Sequence, residues 1–258
     1  MDTNQKKYKL GIALSGGGAK GFAHLGVLQA LYEREIYPDV IAGTSAGAFA
    51  GVFFADGSTP KDILGFFQNR VFKEFAEFTL PQTGFFKTTR FQSFLKEHLK
   101  ATRFEDLKTP IRIVATDIAQ GKSKVFSSGD LIPAVIASCS VPIVFTPVEI
   151  DGCYYLDGGL FKNFPVSAIK DECETVIGVN VSPLTHLEYR HSMKYIAERS
   201  FHYMSVSNTF ADRKLCDHLI ELSNLSHYSM FDLEHIEEIY KDGYDFTCRY
   251  LDKNRINV

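Results

Sequence analysis

Two strand, turn and helix units follow one another near the start of this chain, and their order limits the folds that it can adopt. An apolar run at 10–14 stops at a glycine-rich turn, and apolar residues then recur at every third position. The second unit has a strand at 40–42, a turn at 43–47 and a helix of small residues at 46–55. Such periodicity predicts buried strands that alternate with helices. This alternation is typical of an α/β fold with a mainly parallel central sheet that helices cover on both faces.

Further elements can be placed by the same patterns. Thr59 followed by Pro60 begins a helix that we expect to reach about Phe72, because a capping residue before proline is a common helix start. Asp151-Gly152 lies between two apolar runs, and this dipeptide predicts a two-residue hairpin turn. The other predicted elements are helices at 89–99 and 131–138, and strands at 111–116 and 175–181.

The domain organisation follows from the length and from the distribution of these elements. A chain of 258 residues has the size of one large domain. We expect a single domain over 1–258, with a motif-bearing core at about 10–181 and a helical insertion at about 56–105. The sequence from 182 to 258 is more charged and mostly helical, so we expect it to pack on this core.

Composition and patterning disfavour several classes of protein. The net charge of −3 and the pI of about 6.2 lack the basic excess that binding to a phosphate backbone needs, so nucleic acid is not an expected partner. The five cysteines include no C-x-x-C pair, so neither a disulfide framework nor a cysteine-based zinc site is predicted. The apolar run at 10–14 is too short for a signal peptide, and glycine or proline interrupts the uncharged stretches at 40–55 and 131–148. The expected location is therefore the cytoplasm.

Ser45 is a candidate nucleophile. It stands in a G-x-S-x-G pattern between a predicted strand and a predicted helix, a context in which the turn holds the serine hydroxyl above the sheet edge. Gly43 and Gly47 on either side lack the Cβ atoms that would collide with neighbouring elements. The helix that begins at Ala46 directs its free N–H groups towards the hydroxyl. The alternative is that Ser45 only caps this helix.

A second glycine-rich turn, from Gly16 to Gly21, satisfies the pattern G-x-G-x-x-G. A dinucleotide site would also need an acid at the end of the second strand, but the nearest acid, Asp39, comes before that strand. Such a turn can instead present backbone N–H groups to an anion, including the oxyanion of an acyl-transfer transition state. Neighbouring parallel strands would place these groups beside Ser45. A turn that serves packing alone is the remaining alternative.

Asp157 is the candidate base for this serine. None of the histidines follows a convincing core strand at a short loop, as the histidine of an α/β-hydrolase does, although His186 lies a few residues after the predicted strand at 175–181. Asp157 follows a hairpin strand directly and precedes Gly158 and Gly159, which allow backbone and ligand to approach closely. A carboxylate within hydrogen-bond reach of a serine can accept its proton. An ordinary turn is the alternative interpretation of this Asp-Gly-Gly sequence.

These three motifs, in this order, resemble those of the patatin-like phospholipase family. The resemblance covers roughly 10–181 and extends to further stretches that look like bacterial members, at 115–118, 128–131, 137–142 and 145–148. It implies a three-layer α/β/α sandwich with Ser45 as nucleophile and Asp157 as base. It also implies that the backbone N–H groups of Gly16, Gly17 and Gly18 form the oxyanion hole.

Two positions vary within this resemblance. Lys20, just before Gly21, stands where the family often has arginine, which keeps the positive charge. Gly159 stands where other members carry alanine.

The activity that the resemblance implies is acyl transfer, with neither a metal nor a cofactor. Ser45, deprotonated by Asp157, would attack the ester carbonyl of a phospholipid, a lysophospholipid or a related lipid, and water would then cleave the acyl-enzyme. Two alternatives stay open. One is a non-catalytic lipid-binding protein on the same scaffold, and the other is a nucleotide-binding Rossmann protein that uses the turn at 16–21.

Phenylalanines are concentrated after the candidate nucleophile, with 12 of the 22 lying between Phe49 and Phe94. Seven basic and four acidic residues at 60–100 give this stretch a local charge of +3. An aromatic and mildly basic segment suits an acyl-chain channel or a transient contact with a membrane surface, and ordinary core packing is the alternative. Phe85 and Phe86, in a predicted loop, are the candidate lipid contacts. These patterns do not specify an oligomeric state.

Overall fold

The computed structural model describes residues 6–67, 77–78 and 86–256. Its helices are α1 Phe22–Tyr32, α2 Ala46–Ala55, α3 Pro60–Gly65, α4 Thr89–His98, α5 Leu131–Ser138, α6 Met193–Ser207, α7 Phe210–Arg213 and α8 Ile236–Lys253. Its strands are β1 Tyr8–Leu14, β2 Val40–Thr44, β3 Glu77–Phe78, β4 Phe86–Lys87, β5 Ile111–Asp117, β6 Lys122–Phe126, β7 Val148–Ile150, β8 Cys153–Asp157, β9 Cys173–Asn180 and β10 His218–Glu221. None of these helices combines the length and the apolar character that crossing a membrane requires.

The central sheet is mixed but mainly parallel. Within the described ranges its strand order is β10-β9-β1-β2-β5-β8-β7, and β6 pairs with β5 outside this path. The strands from β10 to β5 are parallel to their neighbours, whereas β6 and β8 run antiparallel to β5. The predicted α/β fold with a mainly parallel sheet is therefore confirmed.

The core lies on both faces of this sheet. Side chains alternate between the two faces along a strand, so Leu10 and Ile12 of β1 join the larger apolar cluster, whereas Ala13 joins the smaller one. The larger cluster fills the space between the sheet and helices α1, α2, α5 and α8. The smaller cluster lies under the chain that follows β8, where Phe164 and Ile169 are buried.

The C-terminal helix α8 packs closely against α1 through glycine on each side. A Cβ built on Gly26 would collide with the carbonyl oxygen of Tyr240, and one built on Gly243 would collide with that of Ala23. The helix is amphipathic, with Ile239 buried on its inner side. Close backbone approach at these glycines holds the C-terminal part against the first strand, turn and helix unit.

Most predicted elements are present with bounds that differ by one or two residues, including the β7–β8 hairpin with Asp151 and Gly152 at positive φ. The predicted end of α3 is wrong, because the helix ends at Gly65, and residues 68–72 lie outside the described ranges. Strands β6 and β10 were not predicted. Both lie at or beside a sheet edge, where a strand carries polar side chains and lacks a continuous apolar run.

Candidate active site

Ser45 lies in the sharp turn between β2 and α2, where the sequence predicts a nucleophile elbow. Its φ of 53° and ψ of −120° fall in a region that residues other than glycine rarely adopt. The turn also brings backbone close to backbone. A Cβ on Gly43 would lie 2.6 Å from the backbone of Ala48, and one on Gly47 would collide with the carbonyl oxygen of Leu14. Both flanking glycines are therefore required by the packing of the turn.

Hydrogen bonds from α5 and β5 hold this strained turn. The N–H of Ser45 donates to Ser138 Oγ at 2.8 Å, and the Ser138 hydroxyl donates to the Val114 carbonyl at 2.6 Å. The thiol of Cys139 donates to the Ser45 carbonyl at 3.4 Å. Backbone strain persists where surrounding contacts over-determine the conformation, and these contacts do so at Ser45.

Ser45 and Asp157 form a buried hydrogen-bonded pair. Ser45 Oγ donates to Asp157 Oδ2 at 2.6 Å, and the second carboxylate oxygen, Oδ1, accepts the Gly159 N–H at 2.7 Å. Only 1% of the surface of Asp157 is exposed. The arrangement has the geometry of a serine with an adjacent general base.

The sheet positions Asp157 opposite the elbow. The last residue of β8, Asp157, pairs with Ala115 in the antiparallel β5–β8 ladder. Its N–H donates to the Ser140 carbonyl at 2.8 Å, and its own carbonyl accepts the Thr116 hydroxyl at 3.0 Å. A Cβ on Gly158 would collide with the Val114 carbonyl, so this glycine allows the chain to turn against β5.

Burial raises the pKa of Asp157 to about 6, while the hydrogen bonds from Ser45 and Gly159 oppose that shift. The carboxylate is therefore mostly ionised at neutral pH but is a stronger base than an ordinary aspartate. A base whose pKa lies near the working pH is favourable for general-base chemistry.

The glycine-rich turn after β1 lies beside this pair, and its N–H groups differ in availability. The N–H of Gly16 donates to the Asn163 carbonyl at 2.9 Å, so the prediction that Gly16 donates to an oxyanion is wrong. The N–H groups of Gly17 and Gly18 have no acceptor within the described part of the chain, and both glycines line the cavity at Ser45. The first N–H groups of α2, at Ala46 and Gly47, also lack intrahelical acceptors because they begin the helix.

Lys20 and Gly21 complete this turn as part of a short 3-10 helix, Gly18–Gly21. Burial lowers the pKa of Lys20 to about 8, and the nearby positive charge of Arg199 lowers it further. A Cβ on Gly21 would lie 2.5 Å from the Cβ of Ala46, so the two glycine-bearing turns approach each other closely. Their closeness is what brings the N–H groups of the first turn to the side of Ser45.

A mostly apolar cavity of about 200 Å³ opens at Ser45. One side, which we call the strand-end wall, consists of Gly17, Gly18, Ser45, Asp157 and Asn163. A second group of lining residues, which we call the aromatic wall, consists of Phe22, Phe49, Phe67, Phe91 and Phe145. The shape suits an apolar chain whose reactive end lies at Ser45.

The aromatic wall continues into a network of rings in contact, some stacked and others edge-to-face. Phe49 lies 5.3 Å from Phe67 and 5.7 Å from Phe91, measured between ring centroids. Behind them, Phe53 and Phe94 are buried and do not line the cavity. The phenylalanine-rich segment therefore supplies both core and cavity wall, which combines the two interpretations that the sequence left open.

Only one of the two candidate lipid contacts lies within the described residues. Phe85 lies outside the described residues. Phe86 lies in the short strand β4 and not in a loop, is half-buried, and exchanges backbone hydrogen bonds with Val144 and Thr146. Its ring centroid lies 6.4 Å from that of Phe145, so it borders the aromatic wall from outside.

Several residues of the site carry no signal in the sequence. Phe201, His202 and Ser205 reach the cavity from α6, and Asn163 reaches it from the loop after β8. Ser138 supports the elbow from α5. No local pattern identifies these residues, because each enters the site through packing between elements that are distant along the chain. Among the described residues, no group of three or more His, Cys, Asp or Glu side chains is arranged to hold a metal ion.

Comparisons with known proteins agree with this geometry. A family model described as patatin-like phospholipase matches residues 12–169. Lysophospholipase NTE1 of Candida glabrata is 30% identical over 274 residues, which covers 94% of this chain and 16% of that protein. Patatin-like phospholipase domain-containing protein 7 of Rattus norvegicus is 33% identical over 181 residues, which covers 67% of this chain and 13% of that protein. An uncharacterized NTE family protein of Mycobacterium bovis is 32% identical over 163 residues, with 62% of this chain and 45% of that protein covered.

The chain therefore spans less than half the length of each of these relatives. Among solved structures, VipD from Legionella pneumophila has the same fold, with a TM-score of 0.54 and 17% identity over 97% of this chain and 68% of that one. These comparisons favour the hydrolase prediction over the dinucleotide-binding alternative.

Proposed function

Because the chain belongs to the patatin-like phospholipase family, we propose that it is a serine-dependent hydrolase of lipid acyl esters. The observation that carries the proposal is the 2.6 Å hydrogen bond from Ser45 Oγ to the buried carboxylate of Asp157, at the mouth of an apolar cavity. A non-catalytic lipid-binding protein would have no need of a strained serine paired with a basic carboxylate.

In the first step of the proposed reaction, Ser45 Oγ attacks the ester carbonyl while its proton passes to Asp157 Oδ2. The N–H groups of Gly17 and Gly18 donate to the oxyanion, and the positive end of α2 adds to this stabilisation. Collapse of the tetrahedral intermediate breaks the bond to the leaving alcohol, which takes the proton from Asp157. The product is an acyl-enzyme on Ser45.

In the second step, Asp157 accepts a proton from a water molecule that attacks the acyl carbonyl. Collapse of the second intermediate releases the fatty acid and returns the proton to Ser45 Oγ. One carboxylate thus serves both steps, which requires that it be ionised at the start of each.

The substrate that we propose is a phospholipid or a lysophospholipid. The apolar cavity supports an acyl chain, and the names of the relatives support a phospholipid ester. We propose further that the protein meets its substrate by transient contact with a membrane surface at Phe86. The cytoplasmic location and the division of the chain near residue 182 stay predictions from the sequence.

A fluorescent alkyl phosphonate tests the catalytic role of Ser45, because it forms a covalent bond only with an activated nucleophile. We expect stoichiometric labelling of the wild-type protein, mapped to Ser45 by peptide mass spectrometry, and no labelling or ester hydrolysis in Ser45→Ala. Ser200→Ala, at an exposed serine of α6, is the matched control and should label as the wild type does.

Ester hydrolysis that persists in purified Ser45→Ala protein would refute the mechanism. Wild-type protein that binds lipid but neither labels nor hydrolyses esters would instead identify a non-catalytic lipid-binding protein.

A further inference from the structure

Ser15 lies between β1 and the glycine-rich turn, and its hydroxyl joins two parts of the backbone there. The residue is fully buried and does not line the cavity at Ser45. Its hydroxyl donates to the Gly16 carbonyl at 3.0 Å and accepts the Val181 N–H at 3.1 Å. Ser15 therefore contacts the glycine-rich turn without being placed to touch a substrate.

The hydrogen bond to the Gly16 carbonyl fixes the direction of a neighbouring N–H group. The Gly16 carbonyl and the Gly17 N–H belong to the same peptide group, which is planar and trans, so the two point in opposite directions. Because the carbonyl accepts from Ser15 Oγ, the N–H points away from Ser15. Gly17 lines the cavity, and its N–H has no acceptor within the described ranges. The Ser15 hydroxyl thus orients one of the two free donors of the turn.

The peptide group before this one is held at both ends. The Ser15 carbonyl accepts the Nε2–H of His24 at 2.8 Å, and the Gly16 N–H donates to the Asn163 carbonyl at 2.9 Å. Burial lowers the pKa of His24 to about 4, so its ring is neutral at pH 7 and Nε2 carries the proton that the carbonyl accepts. The Ser15 N–H also donates to the Val179 carbonyl at 3.0 Å. The hydroxyl of Ser15 therefore extends from a fixed backbone.

A turn of consecutive glycines needs such restraint, because glycine has the widest conformational freedom of any residue. Donors stabilise an oxyanion best when they are already oriented before the reaction. We propose that Ser15 is a positioning residue of the oxyanion site, which holds the Gly16–Gly17 peptide group so that the Gly17 N–H faces the oxyanion formed on attack by Ser45. This inference rests on the proposed function and adds a residue that acts through the backbone.

Ser15→Ala tests the proposal, because it removes the hydroxyl and leaves the backbone in place. We expect kcat/KM for a soluble ester to fall about 10- to 100-fold, less than the roughly 100- to 1,000-fold that outright loss of a donor costs. The loss should lie in kcat, with KM changed little, because the cavity keeps its lining.

Two inhibitors separate the orientation of the donor from general damage to the fold. An alkyl trifluoromethyl ketone binds as a hemiketal on Ser45, and the oxyanion of this adduct imitates the intermediate. The matching alkyl methyl ketone occupies the same cavity but forms far less of the hemiketal. In Ser15→Ala the affinity for the trifluoromethyl ketone should fall by the same factor as kcat/KM, whereas the affinity for the methyl ketone should stay unchanged. A merely structural role would lower the two affinities together.

The matched control is Thr247→Val, which removes another buried hydroxyl that donates to a backbone carbonyl, that of Gly243 at 2.7 Å in α8. Thr247 does not line the cavity, so this variant should keep the wild-type affinity for both ketones. Ser15→Cys is the more conservative variant and serves if Ser15→Ala does not fold. Its thiol is a weak donor, so it should show the same selective loss, by about 3- to 10-fold.

Two results would overturn the inference while leaving the proposed function intact. One is an affinity for the trifluoromethyl ketone that stays within about twofold of an active wild type in the folded Ser15 variants, since a misdirected oxyanion donor costs more than that. The other is an equal loss of affinity for both ketones. A wild type without esterase activity or labelling at Ser45 would refute the proposed function itself.

Discussion

The two walls of the cavity are built by different means. The strand-end wall consists of chain turns whose backbone is held by hydrogen bonds, such as that from Ser45 N–H to Ser138 Oγ at 2.8 Å. The aromatic wall consists of rings in contact, such as Phe22 and Phe67 with centroids 5.0 Å apart. Hydrogen bonds and close backbone approach define single positions, whereas apolar packing tolerates changes that conserve volume. We therefore expect substitutions in the strand-end wall to affect rate, and substitutions in the aromatic wall to affect which substrate is preferred.

Asp157→Asn, in the strand-end wall, should have the largest effect on the rate of hydrolysis. Loss of the base should lower kcat/KM by about 1,000-fold or more. The same substitution should stabilise the fold at pH 8, because an aspartate whose pKa is raised from 3.8 to about 6 is costly to keep ionised in the folded state. The expected gain in the free energy of unfolding is about 2 to 3 kcal/mol.

The stability effect of Asp157→Asn should depend on pH. The raised pKa means that folded protein binds the Asp157 proton more tightly than unfolded protein does, so the ionisation penalty is present above about pH 6 and disappears as the pH falls towards 3.8. The stability difference between Asp157→Asn and wild type, measured by denaturant unfolding, should therefore shrink between about pH 8 and pH 4. Wild-type kcat/KM should fall below about pH 6. A stability difference between the two proteins that is constant with pH would contradict the assigned pKa.

Phe67→Leu should have an intermediate effect and should change selectivity more than rate. A smaller side chain on the aromatic wall deepens the cavity, and each extra methylene group buried is worth about 0.8 kcal/mol, or about fourfold. The measurement is kcat/KM for a series of p-nitrophenyl esters of increasing chain length, and the optimum should move to longer chains.

Phe94→Leu is the control for this prediction, because Phe94 is buried behind the wall and does not line the cavity. Both variants should lose a similar stability, about 1 kcal/mol for a conservative core substitution. Equal shifts of the chain-length optimum in the two variants would show that the wall does not select the substrate.

Phe86→Ser should have the smallest effect, limited to membrane contact. The side chain is half-buried, so only part of it can enter a membrane surface. The loss of that apolar contact should weaken binding to liposomes that contain anionic lipid by about 3- to 10-fold. Turnover of a short soluble ester should stay unchanged. Phe210→Ser, at an exposed phenylalanine of α7, serves as the control. Liposome binding that is the same in all three proteins would remove Phe86 from the proposal.

The strand-end wall could be predicted largely from the sequence because its elements carry local signals. The pattern around Ser45 specifies a strand, a sharp turn and a helix, and Asp151-Gly152 specifies the hairpin that ends at Asp157. Both signals act over a few residues, through backbone sterics at glycine and through turn geometry. The error at Gly16 arose because its N–H is bound by Asn163, a residue 147 positions away along the chain.

The aromatic wall could not be predicted to the same depth. The cluster of phenylalanines was evident, but periodicity does not separate Phe67, which lines the cavity, from Phe94, which lies behind it. The edge strands β6 and β10 were missed for a related reason, since a partly solvated strand has no continuous apolar run. These features depend on which surfaces meet, and local propensity does not contain that information.

By itself, then, the sequence determined the alternation of strands and helices and the strained turn at Ser45, since each depends on residues that are close along the chain. Its motifs also pointed to Asp157 as the carboxylate partner through their resemblance to a family, although that residue lies 112 positions away. Only the tertiary structure decided which N–H groups are free to receive an oxyanion, and which side chains from the loop after β8 and from α6 complete the cavity. The physical reason is that a hydrogen bond or a cavity wall exists only once distant elements have packed, and packing selects among groups that are chemically equivalent in the unfolded chain.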